Sequence, residues 1–556
     1  MLHPRQHITD LAEICRRKGV ARVIISPGSR SAPLIKSFVE IFGDLCISIV
    51  DERSAAYFAL GTTLYLQKPV VLICTSGTAV LNYSPALAEA YYQRIPLLAI
   101  TADRPREWID QQDNQTLRQT GIFRNYIKES YDLPQVIVSE DDLWYAHRVV
   151  NEAINVCISR DQGPVHLNVP LTEPLYGELP QPSENIRLIQ QVEPEVTVSL
   201  PDELVREWEN ATKIMIIHGQ DIPGSEVASL LPHLAADGRI IIMAENIANI
   251  PGRNILSNSN FVLSTSRGSN PDYPNLILHS GGQVVSKALT AFLRKAPRIN
   301  CWRIGTEKGI IDTFKQVTHR ISLPPATVYR TLAGLNNGTS SSTYGSKWHS
   351  MAKKANALAE ERVSQVPFSD LAVFNHVLRQ IPEGTVIVLG NSSIIRYAQI
   401  FPASDKLSYY ANRGVSGIDG CLSTAAGIAA ASKKLTLVIT GDLGFVYDSN
   451  ALWNRELPAN LRILVINNGG GAIFHIIKGP VEQPGFKKFI EAHHPVIIHK
   501  LAAAFGLDHY LATDDSDLKK QWNEFMQERT RAALFEVITD AAISASGFRQ
   551  MMSSLG

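Results

Sequence analysis

The chain has 556 residues, too many for one hydrophobic core, so about two to four domains are expected. Apolar residues make up 45% and charged residues 19%, as in ordinary globular proteins. The 53 basic residues balance the 53 acidic ones, which excludes a bulk attraction to nucleic acid or to an anionic membrane.

The cysteines and the N-terminus indicate a cytoplasmic protein. The six cysteines are scattered without a CxxC pair, and several lie in apolar runs, as buried reduced thiols do. The first residues carry charges throughout and contain no apolar signal core. No apolar run approaches the ~20 residues that span a bilayer, so we expect no integral membrane segment.

Residues 1–182 alternate short apolar runs with helix-like segments. Each run is continuous and bounded by turn residues, as expected of strands buried on both faces of a parallel sheet. The predicted strands are Val23–Ser26, Leu45–Val50, Val70–Cys74, Leu97–Thr101 and Val165–Val169. They end in polar tips such as SPGSRS, DERS, TSGTA and TADRP, which should line one edge of the sheet, where ligands bind.

Arginines stand in two of these tips. Arg30 lies in SPGSRS beside Ser29, and Arg104 lies in TADRP. The serine alone would suit a helix N-cap, but a guanidinium fork binds carboxylates and phosphates in pairs of hydrogen bonds. Asn114 and Gln115 add amide donors and acceptors. Basic tips on a chain that has no net charge predict a small acidic ligand, since binding to nucleic acid needs a broad basic face.

An acidic pair opens the segment DERSAAYFALG, residues 51–61. Asp51 can cap the helix that follows the strand, and Glu52 lies where the helix dipole favours a negative charge. From the residues alone, a structural role at the helix start is therefore a sufficient explanation for this pair.

Two polar stretches divide the chain into three αβ domains. Residues 177–203 are rich in Pro and Glu, residues 335–345 are rich in Gly, Ser and Thr, and both are predicted linkers. The predicted domains are 1–182, 200–335 and 350–556. Further predicted strands are Lys213–His218, Ile240–Ala244, Leu276–His279, Ile299–Ile304, Val386–Leu389, Leu407–Ala411, Leu435–Thr440, Ile463–Ile466 and Leu534–Ile538.

The segment Gly441–Gly470 predicts a strand, a helix over Tyr447–Leu457 and a second strand. The tips after the two strands should then share one sheet edge. They carry Asp442 and Asn468, 26 residues apart, together with several glycines. Such hard oxygen donors suit Mg²⁺ carrying a phosphate ligand, although an ordinary connection with an aspartate helix cap is the alternative.

Two further tips follow strands of the third domain. Ser392 and Arg396 in GNSSIIR are four residues apart and share a helix face, unless they are only a cap and a solvated arginine. ANRGVSGIDG contains Arg413 and places Ile418 between glycines, an unusual position for a β-branched residue in a turn. Phe474 would add an apolar wall or simply join the core.

The segment Gly441–Gly470 resembles the diphosphate-binding signature of thiamine diphosphate enzymes. The resemblance covers the whole chain and implies an α/β protein with a pyrimidine-binding domain, a central αβ domain and a diphosphate-binding domain, the outer two sharing one parallel-sheet fold. It implies that Asp442, Asn468 and the Gly470 carbonyl hold Mg²⁺, or Mn²⁺ in its place. Two positions depart from the family pattern, because Leu443 stands where glycine is frequent and Gly469 where a polar residue is frequent.

The resemblance also assigns the residues that bind and activate the cofactor. Glu52 matches the glutamate that hydrogen-bonds the aminopyrimidine and so promotes loss of the thiazolium proton. Ile418 matches the apolar wedge that keeps the two rings bent. Further cofactor contacts are implied for Ser392, Gly441 and Phe474.

Six stretches together are similar to one branch of this family: SPGSRSAPL, DERSAAYFALG, TSGTA, TADRP, GNSSIIR and ANRGVSGIDG. That branch decarboxylates 2-oxoglutarate and adds the succinyl unit to isochorismate in menaquinone biosynthesis. Ser392 and Arg396 would bind the first substrate. The second would meet Ser29, Arg30, Arg104, Asn114, Gln115 and Lys287, with Arg413 nearby. A basic residue often follows the lysine, but in this chain it is Ala288. A homodimer or homotetramer with the active site between subunits is also implied.

Three alternatives remain. Another 2-oxo-acid decarboxylase or an acetolactate-synthase-like carboligase would share Glu52 and the metal tips but lack the arginine cluster. A non-catalytic scaffold descended from such an enzyme would keep the fold without the activity. An NAD- or FAD-binding protein is disfavoured, because no GxGxxG follows a predicted strand.

Overall fold

The computed structural model of the chain describes residues 2–193, 199–266, 272–335, 342–477 and 479–553. Three six-stranded sheets with flanking helices follow one another along the chain, and all their strand pairs are parallel. The predicted α/β class with parallel sheets is confirmed. The domain bounds stay a prediction, and both predicted linkers include residues outside the described part, 194–198 and 336–341.

The first sheet has the strand order β2-β1-β3-β4-β6-β5. Its elements are α1 (Gln6–Arg17), β1 (Arg22–Ile25), α2 (Ala32–Phe42), β2 (Cys46–Ser48), α3 (Glu52–Leu66), β3 (Val70–Cys74), α4 (Thr78–Asn82), α5 (Ser84–Gln93), β4 (Leu97–Asp103), β5 (Ser130–Asp132), α6 (Glu140–Ile158) and β6 (Val165–Pro170). The inner strands β3, β4 and β6 are buried along their whole length, which explains their continuous apolar runs.

The central sheet has the order β12-β11-β10-β7-β8-β9. Its elements are α7 (Asp202–Asn210), β7 (Ile214–His218), α8 (Glu226–Leu234), β8 (Ile240–Ala244), β9 (Ile255–Leu256), α9 (Ser259–Thr265), β10 (Leu276–Ser280), α10 (Lys287–Lys295), β11 (Asn300–Ile304), β12 (His319–Ile321) and α11 (Pro325–Leu335).

The third sheet has the order β14-β13-β15-β16-β18-β17, which repeats the order of the first sheet strand for strand. Its elements are α12 (Tyr344–Ser364), α13 (Asp370–Gln380), β13 (Val386–Leu389), α14 (Ser393–Ala398), β14 (Ser408–Tyr410), α15 (Cys421–Ser432), β15 (Thr436–Gly441), α16 (Asp442–Tyr447), β16 (Leu461–Asn467), α17 (Ile473–Ile476), α18 (Phe486–Phe489), α19 (Ile498–Ala504), β17 (Asp508–Ala512), α20 (Asp515–Met526), β18 (Ala533–Ile538) and α21 (Ala541–Met551).

The predicted helix over Tyr447–Leu457 was wrong. The helix α16 begins at Asp442, directly after β15, and a 3₁₀ segment over Ser449–Trp453 follows it. β15 and β16 nevertheless pair in parallel, so the two polar tips share one sheet edge as predicted.

Two helices, α3 of the first domain and α15 of the third, pack against each other within one apolar core. Small residues let their backbones approach. A Cβ on Gly61 would clash with the Thr424 carbonyl oxygen, and one on Gly427 would clash with the Phe58 carbonyl oxygen. Ser54 and Ser423 share a hydrogen bond of 2.9 Å across the same contact. This helix pair therefore joins the first and third domains at close range.

Gly61→Ala is therefore expected to destabilise the protein by roughly 1–3 kcal/mol, because a methyl group there must displace backbone. The thermal midpoint measures the effect. Gly334→Ala is the matched control, since that exposed helical glycine has open space around it and alanine favours a helix. Equal midpoints for Gly61→Ala and wild type would contradict this packing.

No described helix combines the length and the apolarity needed to cross a membrane. All six cysteines lie in the described part of the chain, all are free thiols, and five of them are buried.

Candidate active site

Asp442 and Asn468 lie at neighbouring tips of the third sheet, and each presents a buried oxygen without a hydrogen-bond partner among the described residues. Asp442 is 2% exposed, and its Oδ1 accepts a hydrogen bond from Leu443 N at 2.6 Å. The Asn468 side-chain NH₂ group donates to Asp370 Oδ2 at 3.0 Å, and the side-chain oxygen Oδ1 of Asn468 accepts no hydrogen bond from the described residues. Hard oxygens at one sheet edge that accept no hydrogen bond from this part of the chain fit a divalent cation.

Backbone beside Asn468 takes a conformation that suits glycine. Gly470 has φ +152°, and a Cβ there would lie 2.6 Å from the Glu491 carbonyl oxygen. Among the described residues, no cluster of three or more His, Cys, Asp or Glu side chains is arranged to hold a metal. A site at this tip would therefore draw on a carboxamide and on backbone, as the resemblance implies for Asn468 and Gly470.

Sequence reasoning missed two polar neighbours of this tip. Asp370, at the start of α13, orients the Asn468 side chain from nearly a hundred residues away, and no local signal marks it. His494 Nε2 lies 3.4 Å from Asp442 Oδ2, and that carboxylate raises the pKa of the imidazole. The segment EAHHP is conspicuous for its adjacent histidines, which could have drawn attention to His494.

The structure brings Ile418 and Phe474 close to this tip. A Cβ on Gly444, within α16, would lie 3.8 Å from Ile418 Cβ, so the isoleucine packs beside the helix that Asp442 begins. Phe474 is half-buried against Gly471. Gly441 ends β15 immediately before Asp442. Apolar groups thus lie next to the polar tip.

Ser392 precedes α14 with φ +68°, an uncommon conformation for a residue other than glycine. Its neighbour Asn391 donates hydrogen bonds to Asn412 O at 2.8 Å and to Gly417 O at 2.7 Å. Asn391 Oδ1 also accepts from Arg413 Nη1 at 2.9 Å. The strand-end tip that carries Ser392 is thus tied to the loop that carries Arg413.

Arg396 and Arg413 lie close enough to influence each other. Burial lowers the pKa of Arg396. Burial also lowers the pKa of Arg413, and the positive charge of Arg396 adds to that effect. The Arg413 Nε is buried without a hydrogen-bond partner among the described residues. Two partly buried cations, one with an unused donor, favour an anionic ligand.

A further missed residue, Glu89 of α5, fixes the Arg413 loop from the first domain. Glu89 is 1% exposed and accepts hydrogen bonds from Gly414 N at 2.6 Å and Val415 N at 2.7 Å. A Cβ on Gly414 would lie 2.6 Å from the Glu89 carbonyl oxygen, so this approach needs glycine. Nothing in the sequence around Glu89 distinguishes it from an ordinary helix glutamate.

Arg30 and Arg104 come together at the edge of the first sheet. Burial lowers the pKa of Arg30, and the charge of Arg104 adds to that effect. Arg30 pairs with Glu173 at 3.0 Å and Arg104 with Asp113 at 3.2 Å. The Nε atoms of both arginines are buried without a hydrogen-bond partner among the described residues.

The other candidates for the second substrate are less enclosed. Ser29, Asn114 and Lys287 are exposed, and Lys287 begins α10 in the central domain. Gln115 is also exposed, but its amide already donates to Ser76 O at 3.0 Å.

Glu52 is the first residue of α3, and burial raises the pKa of its carboxyl group. Asp51 caps the helix by accepting from Ser54 N at 2.8 Å, so the structural role predicted for the acidic pair belongs to Asp51. No hydrogen bond joins Glu52 to Asp442 or Asn468, all three of which are described.

The start of α3 nevertheless contacts the segment that follows Asp442 in the same chain. Asn450 donates to Asp51 Oδ2 at 2.7 Å, and Arg53 donates to Tyr447 O at 2.7 Å. The start of α3 in the first domain and the segment 447–450, at the far end of α16 from Asp442, are therefore neighbours within one chain.

Two family models match the chain. Residues 7–122 match "Thiamine pyrophosphate enzyme, N-terminal TPP binding domain", and residues 389–537 match "Thiamine pyrophosphate enzyme, C-terminal TPP binding domain". The first range includes Glu52, and the second includes Asp442 and Asn468.

Three curated relatives that match over nearly their whole length share the name 2-succinyl-5-enolpyruvyl-6-hydroxy-3-cyclohexene-1-carboxylate synthase. The protein from Desulfotalea psychrophila is 40% identical over 97% of this chain and 99% of its own. The one from Flavobacterium psychrophilum is 36% identical over 98% of both chains. The one from Porphyromonas gingivalis is 35% identical over 96% of this chain and 94% of its own. The chain therefore belongs to the thiamine diphosphate enzymes and, among them, to the 2-succinyl-5-enolpyruvyl-6-hydroxy-3-cyclohexene-1-carboxylate synthase family.

Proposed function

We propose that this protein decarboxylates 2-oxoglutarate and adds the succinyl unit to isochorismate in a conjugate, 1,4 sense, as a step of menaquinone biosynthesis. The product would be 2-succinyl-5-enolpyruvyl-6-hydroxy-3-cyclohexene-1-carboxylate. The observation that carries this proposal is that three arginines at strand-end tips, Arg30, Arg104 and Arg413, have buried Nε atoms without a hydrogen-bond partner among the described residues. Both substrates are polycarboxylates, and such donors recognise carboxylates.

The metal and the cofactor would be held at the third sheet. Asp442, Asn468 and the Gly470 carbonyl would bind Mg²⁺ or Mn²⁺, because both side chains have buried oxygens with no hydrogen-bond partner among the described residues. Thiamine diphosphate, when bound, supplies a nucleophilic carbon and an electron sink for decarboxylation. Ile418 would hold its rings bent, with Ser392, Gly441 and Phe474 as further contacts.

Glu52 would act as the acid–base residue. Burial raises the pKa of its carboxyl group, so it retains a proton more readily than an exposed glutamate and can share that proton with a ring nitrogen of the aminopyrimidine. Ser392 and Arg396 would bind the distal carboxylate of 2-oxoglutarate. Isochorismate would meet Ser29, Arg30, Arg104, Asn114, Gln115 and Lys287, with Arg413 nearby.

The active unit in this proposal is a homodimer, alone or within a homotetramer, with each site between two subunits. Glu52 of one chain would then serve the metal tip of its partner. In this proposal, residues 1–182 form the pyrimidine-binding domain, residues 200–335 the central domain and residues 350–556 the diphosphate-binding domain.

The choice of 2-oxo acid tests the proposed activity. With thiamine diphosphate and Mg²⁺, CO₂ release from 2-oxoglutarate is expected to exceed that from pyruvate by about 10- to 100-fold, because pyruvate lacks the carboxylate that Arg396 would bind. Arg396→Ala should remove most of this preference. Faster release from pyruvate would favour an acetolactate-synthase-like carboligase, and failure to bind thiamine diphosphate would favour a non-catalytic scaffold.

A further inference from the structure

Glu245 is a buried carboxylate directly after β8 that the proposed reaction leaves without a role; it is 6% exposed. Its Oε2 accepts a hydrogen bond from Val285 N at 2.7 Å, and its Oε1 accepts one from Ser286 N at 2.6 Å. The two carboxylate oxygens thus hold two successive amides immediately before α10. Lys287, a candidate ligand of the second substrate, is the next residue and the first of that helix.

The start of α10 is fixed from two other directions as well. Ser286 caps the helix by accepting from Leu289 N at 3.0 Å, and Asn260 Oδ1 accepts from Ala288 N at 3.1 Å. The backbone around Lys287 is therefore anchored while its side chain stays exposed. Glu245 is the ionisable member of this anchor, and its ionised form accepts the stronger hydrogen bonds.

The same carboxylate acts on Arg413 in the third domain. The negative charge of Glu245 opposes the effect of burial, which lowers the pKa of Arg413. Reciprocally, burial raises the pKa of Glu245 to about 7, while the amides of Val285 and Ser286 and then the charge of Arg413 oppose that rise. Glu245 thus holds the backbone amides before Lys287, and its charge also acts on Arg413 of the third domain.

We propose that Glu245 is a positioning residue for isochorismate binding: by holding the backbone immediately before α10, it fixes where Lys287 presents its side chain. This inference rests on the proposed function. By fixing the start of α10, Glu245 would set where the Lys287 ammonium meets a carboxylate of the substrate. It would also give the central domain a definite share of second-substrate binding despite Ala288.

Glu245→Gln tests this role. The amide has one carbonyl oxygen and an NH₂ group, so it can accept from only one of the two N–H donors with the geometry of the carboxylate, and it loses the charge facing Arg413. The KM for isochorismate is expected to rise about tenfold or more. The KM for 2-oxoglutarate and CO₂ release without isochorismate should stay within about twofold, because Arg396 and Glu52 are not held by Glu245.

Amide hydrogen exchange provides a readout that does not depend on activity. Val285 N–H and Ser286 N–H should exchange faster in Glu245→Gln than in wild type. Glu245→Asp keeps the charge on a shorter side chain and is expected to give an intermediate KM for isochorismate. Asp237→Asn is the matched control: Asp237 is a 2% exposed carboxylate of the same domain that pairs with Arg239, so its loss should affect stability only.

Each outcome has a distinct meaning. Unchanged KM for isochorismate in an active Glu245→Gln variant, or an equal rise for both substrates, would overturn the positioning role and leave the proposed function standing. Wild-type protein that releases no CO₂ from 2-oxoglutarate would overturn the proposed function itself, whatever the exchange rates show. If Glu245→Gln does not fold, a wild-type KM for isochorismate in Glu245→Asp would overturn the role instead.

Discussion

Glu52→Gln is expected to lower turnover by about 10²-fold or more while the affinity for thiamine diphosphate changes only a few-fold. The substitution keeps the size and one hydrogen-bonding oxygen of the side chain but removes the proton that the carboxyl group can share. Burial raises the pKa of Glu52, which suits a group that exchanges a proton with a ring nitrogen. Cofactor affinity should persist because the diphosphate and metal would be bound by the third domain.

Steady-state CO₂ release from 2-oxoglutarate and calorimetric titration of the cofactor measure the two quantities separately. Asp51→Ala is the control for a purely structural effect at the start of α3. It removes the cap on Ser54 N and should cost about 1 kcal/mol of stability, with turnover near wild type. Near-normal turnover of Glu52→Gln would show that its carboxylate merely favours the helix N-terminus, and the acid–base assignment would be wrong.

Asp442→Asn is expected to be equally inactive for a different reason. The change removes the negative charge of a buried oxygen that has no hydrogen-bond partner among the described residues, so Mg²⁺ and the cofactor's diphosphate should bind much more weakly. Excess Mg²⁺ should restore part of the binding, which calorimetric titration of the cofactor measures. Tight, metal-dependent cofactor binding in Asp442→Asn would argue that the metal lies elsewhere.

Mixing the two inactive variants is expected to restore activity if each site spans two chains. After dissociation and random reassembly, about half of the dimers contain one chain of each kind, and each of these has one intact site and one doubly changed site. About a quarter of wild-type activity should return. No recovery, with both variants still folded and dimeric, would place Glu52 and Asp442 of one chain in the same site.

A reciprocal mixture tests the same point without depending on how much activity reassembly recovers. Wild-type chains are reassembled with chains that carry both Glu52→Gln and Asp442→Asn. Sites between chains would then lose activity on exchange, because neither site of a mixed dimer keeps both residues. Sites within one chain would retain all the activity of the wild-type fraction.

Edge strands show where sequence patterns lose their power. The inner strands carry continuous apolar runs and were predicted close to their observed bounds. Four strands of the described part escaped prediction, namely β5, β9, β12 and β17. Each of them is an edge strand with a single neighbour, and β9 and β12 form the two edges of the central sheet. An edge strand is paired on one side only and is partly exposed, so it needs no apolar run.

The helix between β15 and β16 illustrates a different limit. Its existence followed from the βαβ spacing, but its start at Asp442 instead of Tyr447 depends on how the chain turns at the end of β15. Boundaries of this kind are set by local capping and packing, which a single sequence constrains weakly.

The sequence by itself determined the parallel α/β class, the strand-end tips and the candidate residues on them, because buried strands and glycine-rich turns impose strong local patterns. Only the tertiary structure decided which groups support those residues: Asp370 beside Asn468, Glu89 on the Arg413 loop, and Glu245 on the amides before Lys287. These supporting carboxylates come from distant elements, and their role depends on burial next to particular amides and cations. Burial of that kind arises only when elements far apart in the chain pack together, so no local pattern announces it.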